Sequence, residues 1–246
     1  MEMTLLRQRA ALFALLLAGS ALSACGGGGG GGGGIASTPA PPATPTPTPA
    51  PAPAPTPTPT PTNYDTTEYR GSDGPAQHGA IVAYQAGASG KDVTVGVIDS
   101  GIATANAEFS GRISRASRDF AGNGSIEDTG GHGTAVTIVL AAARNNSKTL
   151  GMAWDATILA LRTDTPGSCA TESPSDPKSG CQHSTTAITQ ALDHARVSGA
   201  RVVNISLGGG AVPSNLAAAV DRATAAGVII VVASGNDGVA APDSFA

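Results

Sequence analysis

The chain has 246 residues, enough for one or two domains. Its formal net charge is −4 and only 13% of its residues are charged, which argues against nucleic acid or an anionic membrane surface as an electrostatic partner. Aromatic residues make up 3% of it, so any core must be built from Ala, Val, Ile and Leu. With 3 cysteines, an odd count, at least one stands outside any internal disulfide.

Residues 1–24 read as an export signal. Arg7 and Arg9 form a basic start, and the apolar run Ala10–Ala18 falls well short of the ~20 residues that span a bilayer. Leu22-Ser23-Ala24-Cys25 then resembles a bacterial lipobox, which implies cleavage before Cys25 and lipidation of that cysteine. An ordinary signal peptide with a chance cysteine is the alternative. Acyl chains contribute about 0.8 kcal/mol per buried CH₂, so two or more anchor stably. Gly26, with no Asp in that place, implies delivery to the bacterial outer membrane. Residues 25–62 read as a stalk. Gly26–Gly34 is an unbroken glycine run, a flexible tether. Ile35–Thr62 alternates Pro with Thr and Ala and favours extended polyproline II. At ~3.1 Å per residue this second part reaches roughly 85 Å, against a radius of gyration near ~16 Å for a domain of residues 63–246. It is long enough to hold that domain clear of a membrane, and a plain linker with no spacing role reads equally well.

From residue 63 the pattern changes. Gln77–Ala86 predicts a short helix. Beyond Lys91, strands predicted at Val93–Ile98, Thr157–Leu161, Arg201–Ser206 and Val228–Val232 alternate with helices at His132–Ala143, Thr186–Ser198 and Ser214–Ala226. The strands are near-continuous apolar runs, as expected where helices cover both faces of a parallel sheet. Gly199 and Gly227 each fall just past a helix, where a C-cap glycine belongs. The fold class is therefore α/β, a doubly wound and mostly parallel sheet, with its site at the carboxyl ends of the strands.

Those ends carry the chemistry. The first strand stops on Asp99-Ser100-Gly101, and a carboxylate buried there is costly without a partner. The partner suggested is His132, in Gly131-His132-Gly133-Thr134. Ser206-Leu207-Gly208-Gly209 and Ser234-Gly235-Asn236-Asp237 close the next two strands. These four motifs, in this order, resemble the subtilisin-like serine proteases, or subtilases, over roughly residues 90–246. The resemblance implies that Asp99 fixes the tautomer of His132, that His132 takes the proton of a serine nucleophile, and that Asn236 donates to the oxyanion. It gives Ser206, Leu207 and Gly208 the cleft wall, along which an extended substrate pairs its backbone. It implies protein or peptide substrates, no nucleic acid and no cofactor.

Nothing in the sequence matches the Gly-Thr-Ser motif of the family's nucleophile, so the chain reads as the N-terminal part of a protease domain, truncated at its C-terminus and inactive alone. An autotransporter-type subtilase would fit the signal. The competing readings are a degenerate domain that displays or binds peptides, and a nucleotide-binding α/β domain, which lacks a Gly-rich phosphate loop. Cys169 and Cys181 flank a Pro/Ser/Gly-rich insertion, and export predicts a disulfide between them. A metal site with His183 is the weaker alternative, because the C-x-x-C spacing is missing. Asn145-Asn146-Ser147 with Glu108 resembles part of a subtilase calcium loop, but Lys148 argues against a cation, so no metal is expected. His78, His183 and His194 are expected at the surface.

Overall fold

The structure, a computed structural model, describes residues 62–171 and 180–236. The segments read as signal and stalk, Cys25 among them, lie outside the described residues except for Thr62. Among the described residues, five strands form one sheet: β1 (Thr94–Asp99), β2 (Arg118–Asp119), β3 (Thr157–Arg162), β4 (Val202–Ile205) and β5 (Ile229–Val232), in the order β2-β3-β1-β4-β5. Every neighbouring pair is parallel. β1 lies in the middle, with Val95 opposite Ile158 on one side and Val202 on the other. The chain adds β3 to one side of β1 and then crosses to add β4 on the other. Such a reversal leaves a crevice beyond the carboxyl ends of the strands.

Helices cover both faces. They are α1 (Thr67–Arg70), α2 (Asp73–Gln77), α3 (Ile81–Gln85), α4 (His132–Ala141), α5 (Thr185–Val197) and α6 (Ser214–Ala225). In α5 the buried residues Ile188, Ala191, Leu192 and Ala195 recur at helical spacing. With Leu216, Ala219 and Ala223 of α6 they pack on Ile98, Leu161, Val203 and Ile205. On the opposite face Ala141 of α4 joins Ile102, Phe109, Ile158 and Ala160. The small residues let helix and sheet approach closely, and the β-branched strand residues fill the space between. Gly199 and Gly227 take φ of +81° and +82° just beyond α5 and α6, the left-handed turn that closes a helix. This is a doubly wound α/β fold.

Several features differ from the sequence reading. The helix expected at Gln77–Ala86 is interrupted: α2 ends at Gln77, Gly79 turns left-handed at φ +61°, and α3 begins at Ile81. β2, two residues long, is too short to show periodicity. The third core cluster is aromatic, contrary to the composition argument. Tyr69, Tyr84 and Leu150 are buried there with Tyr64 and Trp154 against them, which gathers all three tyrosines and the one tryptophan of the chain. Trp154 meets Tyr84 edge-on at 4.2 Å between centroids. Burial raises the Tyr84 hydroxyl to about 12, and that hydroxyl donates to the Met152 carbonyl at 3.2 Å. Finally, β5 is covered on one side only among the described residues: Ile230 and Val232 pack on the α6 side, while Ile229 and Val231 are 62% and 49% exposed.

Candidate active site

Asp99 is the last residue of β1, paired in register with Arg162 of β3. Its side chain is 1% exposed. One carboxylate oxygen, Oδ1, accepts from the Ser100 N–H at 2.7 Å and contacts Nδ1 of His132 at 2.8 Å. A buried carboxylate at Nδ1 places the imidazole proton there and makes Nε2 the basic nitrogen. The other oxygen, Oδ2, is buried with no hydrogen-bond partner among the described residues.

His132 opens α4, and a dense set of contacts makes the helix start there. Gly131, at φ +86°, is its N-cap and offers no side chain. Neighbours satisfy the first N–H groups instead. Gly133 N donates to Ser100 Oγ at 2.9 Å and Thr134 N donates to Asp128 Oδ2 at 2.8 Å. Asp128 also accepts from Ser100 Oγ, Gly130 N, Gly131 N and Thr134 Oγ1 at 2.6–3.1 Å. Burial alone would raise its carboxyl, but the bonds from Thr134, Gly131 and Ser100 outweigh that and hold it below the usual carboxylate range. A negative charge beside a helix N-terminus is favourable in its own right. A Cβ on Gly133 would overlap the Gly101 carbonyl oxygen, so α4 meets the turn after β1 backbone to backbone. The sequence reading missed Asp128, although an acid shortly before a helix start is a recognisable capping signal.

A cleft of about 580 Å³ opens above this pair. His132, Ser206, Leu207, Gly208 and Asn236 line it together, so these predicted residues converge, with Asp99 beneath His132. Ser206–Gly208 follow β4 and Asn236 follows β5. Cys169 and Cys181 are disulfide-bonded, and Cys181 forms part of the cleft wall. Cys25 lies outside the described residues. Two expectations need correction. His183 is half-buried, lines the cleft, and holds Thr163 Oγ1 through Nδ1 at 2.9 Å. Its burial lowers its affinity for a proton, against the pull of Asp99 and Asp164. His194 is also half-buried; its Nε2 donates to the Ala116 carbonyl at 2.8 Å. Thr163, just past β3, engages His183, and Ala116, a loop residue remote in sequence, engages His194.

Among the described residues no group of three or more His, Cys, Asp or Glu side chains is placed to hold a metal ion. Around the loop resembling a calcium site, Glu68 accepts the N–H groups of Asn145 and Ser147 at 3.1 and 3.0 Å, and Glu108 accepts the Asn145 amide at 3.0 Å.

Residues 90–245 match the subtilase family. The chain belongs to that family. It is 32% identical over 152 residues to subtilisin DY of Bacillus licheniformis, covering 62% of this chain and 50% of that protein. Subtilisin Savinase of Lederbergia lenta is 34% identical over 160 residues, or 65% and 53% of the two chains. Thermitase of Thermoactinomyces vulgaris is 33% identical over 159 residues, or 63% and 52%. A crystal structure of MycP1 with its N-terminal propeptide removed overlays with a TM-score of 0.49 at 28% identity, over 68% of this chain and 50% of that one. The subtilase chain thus spans about half the length of these relatives.

Proposed function

We propose that this subtilase chain supplies the Asp–His half of a serine endopeptidase that hydrolyses peptide bonds in proteins. The observation that carries the reading is the buried Asp99 carboxylate 2.8 Å from Nδ1 of His132, at the floor of a cleft that Asn236 also lines. In the proposed reaction a serine hydroxyl attacks the scissile carbonyl and passes its proton to Nε2 of His132. Asp99 steadies the imidazolium, and His132 then returns the proton to the leaving amine. The Asn236 amide donates to the oxyanion of the tetrahedral intermediate; a donor of this kind lowers the barrier by roughly 3–4 kcal/mol. Ser206, Leu207 and Gly208 offer backbone to an extended peptide. The nucleophile is assigned to a Gly-Thr-Ser segment of the kind the family carries, and no such segment occurs in residues 1–246.

The test is labelling with a fluorophosphonate, a serine-directed probe. The chain of 246 residues should not label, whereas a version completed with a Gly-Thr-Ser segment should label and cleave peptides, and His132→Ala should abolish both. Labelling of the short chain that depends on His132 would instead assign the nucleophile to one of its own serines, Ser206 or Ser234. A completed version that neither labels nor cleaves would favour a peptide-binding domain. The proposal extends to export and lipid anchoring through Cys25 in the outer membrane, supported by the lipobox-like Leu22-Ser23-Ala24-Cys25. Cys25→Ala should then release the protein from the membrane fraction and end palmitate incorporation. Unchanged sedimentation without incorporation in either form would remove the anchor from the reading.

A further inference from the structure

The Cys169–Cys181 disulfide lies against the backbone that delivers His132. A Cβ built on Gly130 would stand 2.8 Å from Cys169 Cβ and from Cys181 Sγ, and 2.9 Å from Cys169 Sγ. The sulfurs therefore fill the space a side chain would need, two residues before the histidine. The disulfide packs against a side chain that is held in place. Cys169 Sγ, which has no proton to donate, touches Asp164 Oδ2 at 3.3 Å, and Arg162 grips Asp164 through two nitrogens at 2.7 and 3.0 Å. On the far side of Cys181, the Thr165 N–H donates to the Gln182 carbonyl at 2.7 Å. Arg162 also reaches the segment before His132, donating to the Glu127 carbonyl at 2.5 Å and to Thr129 Oγ1 at 3.1 Å. Asp128 holds the same segment from within. The His132 side chain is 52% exposed, and the backbone that delivers it sets where Nδ1 can meet Asp99.

We propose that the Cys169–Cys181 disulfide is a positioning element for His132. It presses on Gly130, closes the clamp that Arg162 and Asp128 begin, and so fixes the contact of Nδ1 with Asp99. The proposal rests on the reading of Asp99 and His132 as the catalytic pair, but its test needs neither nucleophile nor substrate. The probe is the Nδ1 proton held between His132 and Asp99, a far-downfield proton resonance assigned by its loss in His132→Gln. In the full chain with the disulfide closed, that proton should exchange slowly with water. In Cys169→Ser/Cys181→Ser its exchange should quicken tenfold or more, while the core amides of Ile98, Leu161 and Ile205 stay within twofold. Gly130→Ala should quicken it similarly with the disulfide closed, and add less than twofold once the serines let the loop withdraw. Should the serine pair not fold, the disulfide is opened in the folded chain with dithiothreitol. Two electrons and two protons pass to Cys169 and Cys181, which become thiols, while the reagent closes to its cyclic disulfide; the same comparison then decides. Exchange within twofold of the closed form, equal quickening of core and Nδ1 protons, or no such resonance in the closed form would each overturn the proposal. A missing resonance tells against the Asp99–His132 pair as well, whereas the other two results overturn the positioning proposal alone and leave fluorophosphonate labelling to judge the proposed function.

Discussion

Replacing Asp128 with alanine is the sharpest test of how the start of α4 is built. The carboxylate accepts five hydrogen bonds, from Ser100 Oγ, Gly130 N, Gly131 N, Thr134 N and Thr134 Oγ1. A hydrogen bond to a charged group contributes about 1.5–3 kcal/mol when dry, but water can reach this half-exposed site, so about 0.7 kcal/mol each is the fairer figure. The interaction with the helix N-terminus adds about 0.3–1 kcal/mol. The expected loss is about 4 kcal/mol, a large share of the roughly 5–15 kcal/mol that holds a domain together. At about 2–4 °C per kcal/mol for a domain of this size, the melting temperature should fall by about 8–16 °C. Asp128→Asn keeps one acceptor oxygen but turns an amide toward the other donors, and should cost about half as much. Urea unfolding followed by circular dichroism measures both, with an unchanged slope as the check that only stability moved. A loss below about 1 kcal/mol for the alanine variant, or equal losses for alanine and asparagine, would refute the reasoning.

Three further outcomes follow from the same geometry. Gly133→Ala should destabilise the chain by more than the about 1–3 kcal/mol of ordinary overpacking, because its methyl meets the Gly101 carbonyl, a backbone atom that cannot rotate away; thermal unfolding measures it. Arg162→Ala should cost about 3–5 kcal/mol, since Asp164, 1% exposed, would be left buried without its partner, whereas Arg162→Met/Asp164→Leu should unfold much closer to the parent in urea. Burial lowers the proton affinity of His183, so the unfolded chain binds a proton that the folded chain refuses, and stability should fall as pH drops below about 6.5. His183→Gln should flatten that part of the profile. The Asp128 contribution has the same sign of linkage in a lower window: its depressed carboxyl keeps it intact above about pH 4, and it is lost only on further acidification.

The order of elements was legible because it rests on local rules. Apolar β-branched runs gave β1, β3, β4 and β5 within a residue or two, and α5 carries its buried stripe at helical spacing. Asp99 could be singled out because a carboxylate at the end of a buried strand demands a partner, and the motif His132-Gly133-Thr134 offered one. Tertiary structure alone decided what depends on residues far apart in sequence. Which strands adjoin β1, and so where the crevice opens, follows from a crossover that no local pattern encodes. Asp128 went unnamed in the sequence because Ser100, 28 positions away, meets it only in the fold. Arg162 reads as one charge at the end of a strand, and only packing turns it inward to Asp164 and Thr129. His183 and His194 looked like surface residues because nothing near them in sequence could bury them; Thr163 and Ala116 lie 20 and 78 positions away. Composition says how many aromatic rings the chain has, but only the folded chain brings Tyr64, Tyr69, Tyr84 and Trp154 into one cluster. Spacing encodes what each residue prefers for itself, whereas partnership is a property of three-dimensional proximity.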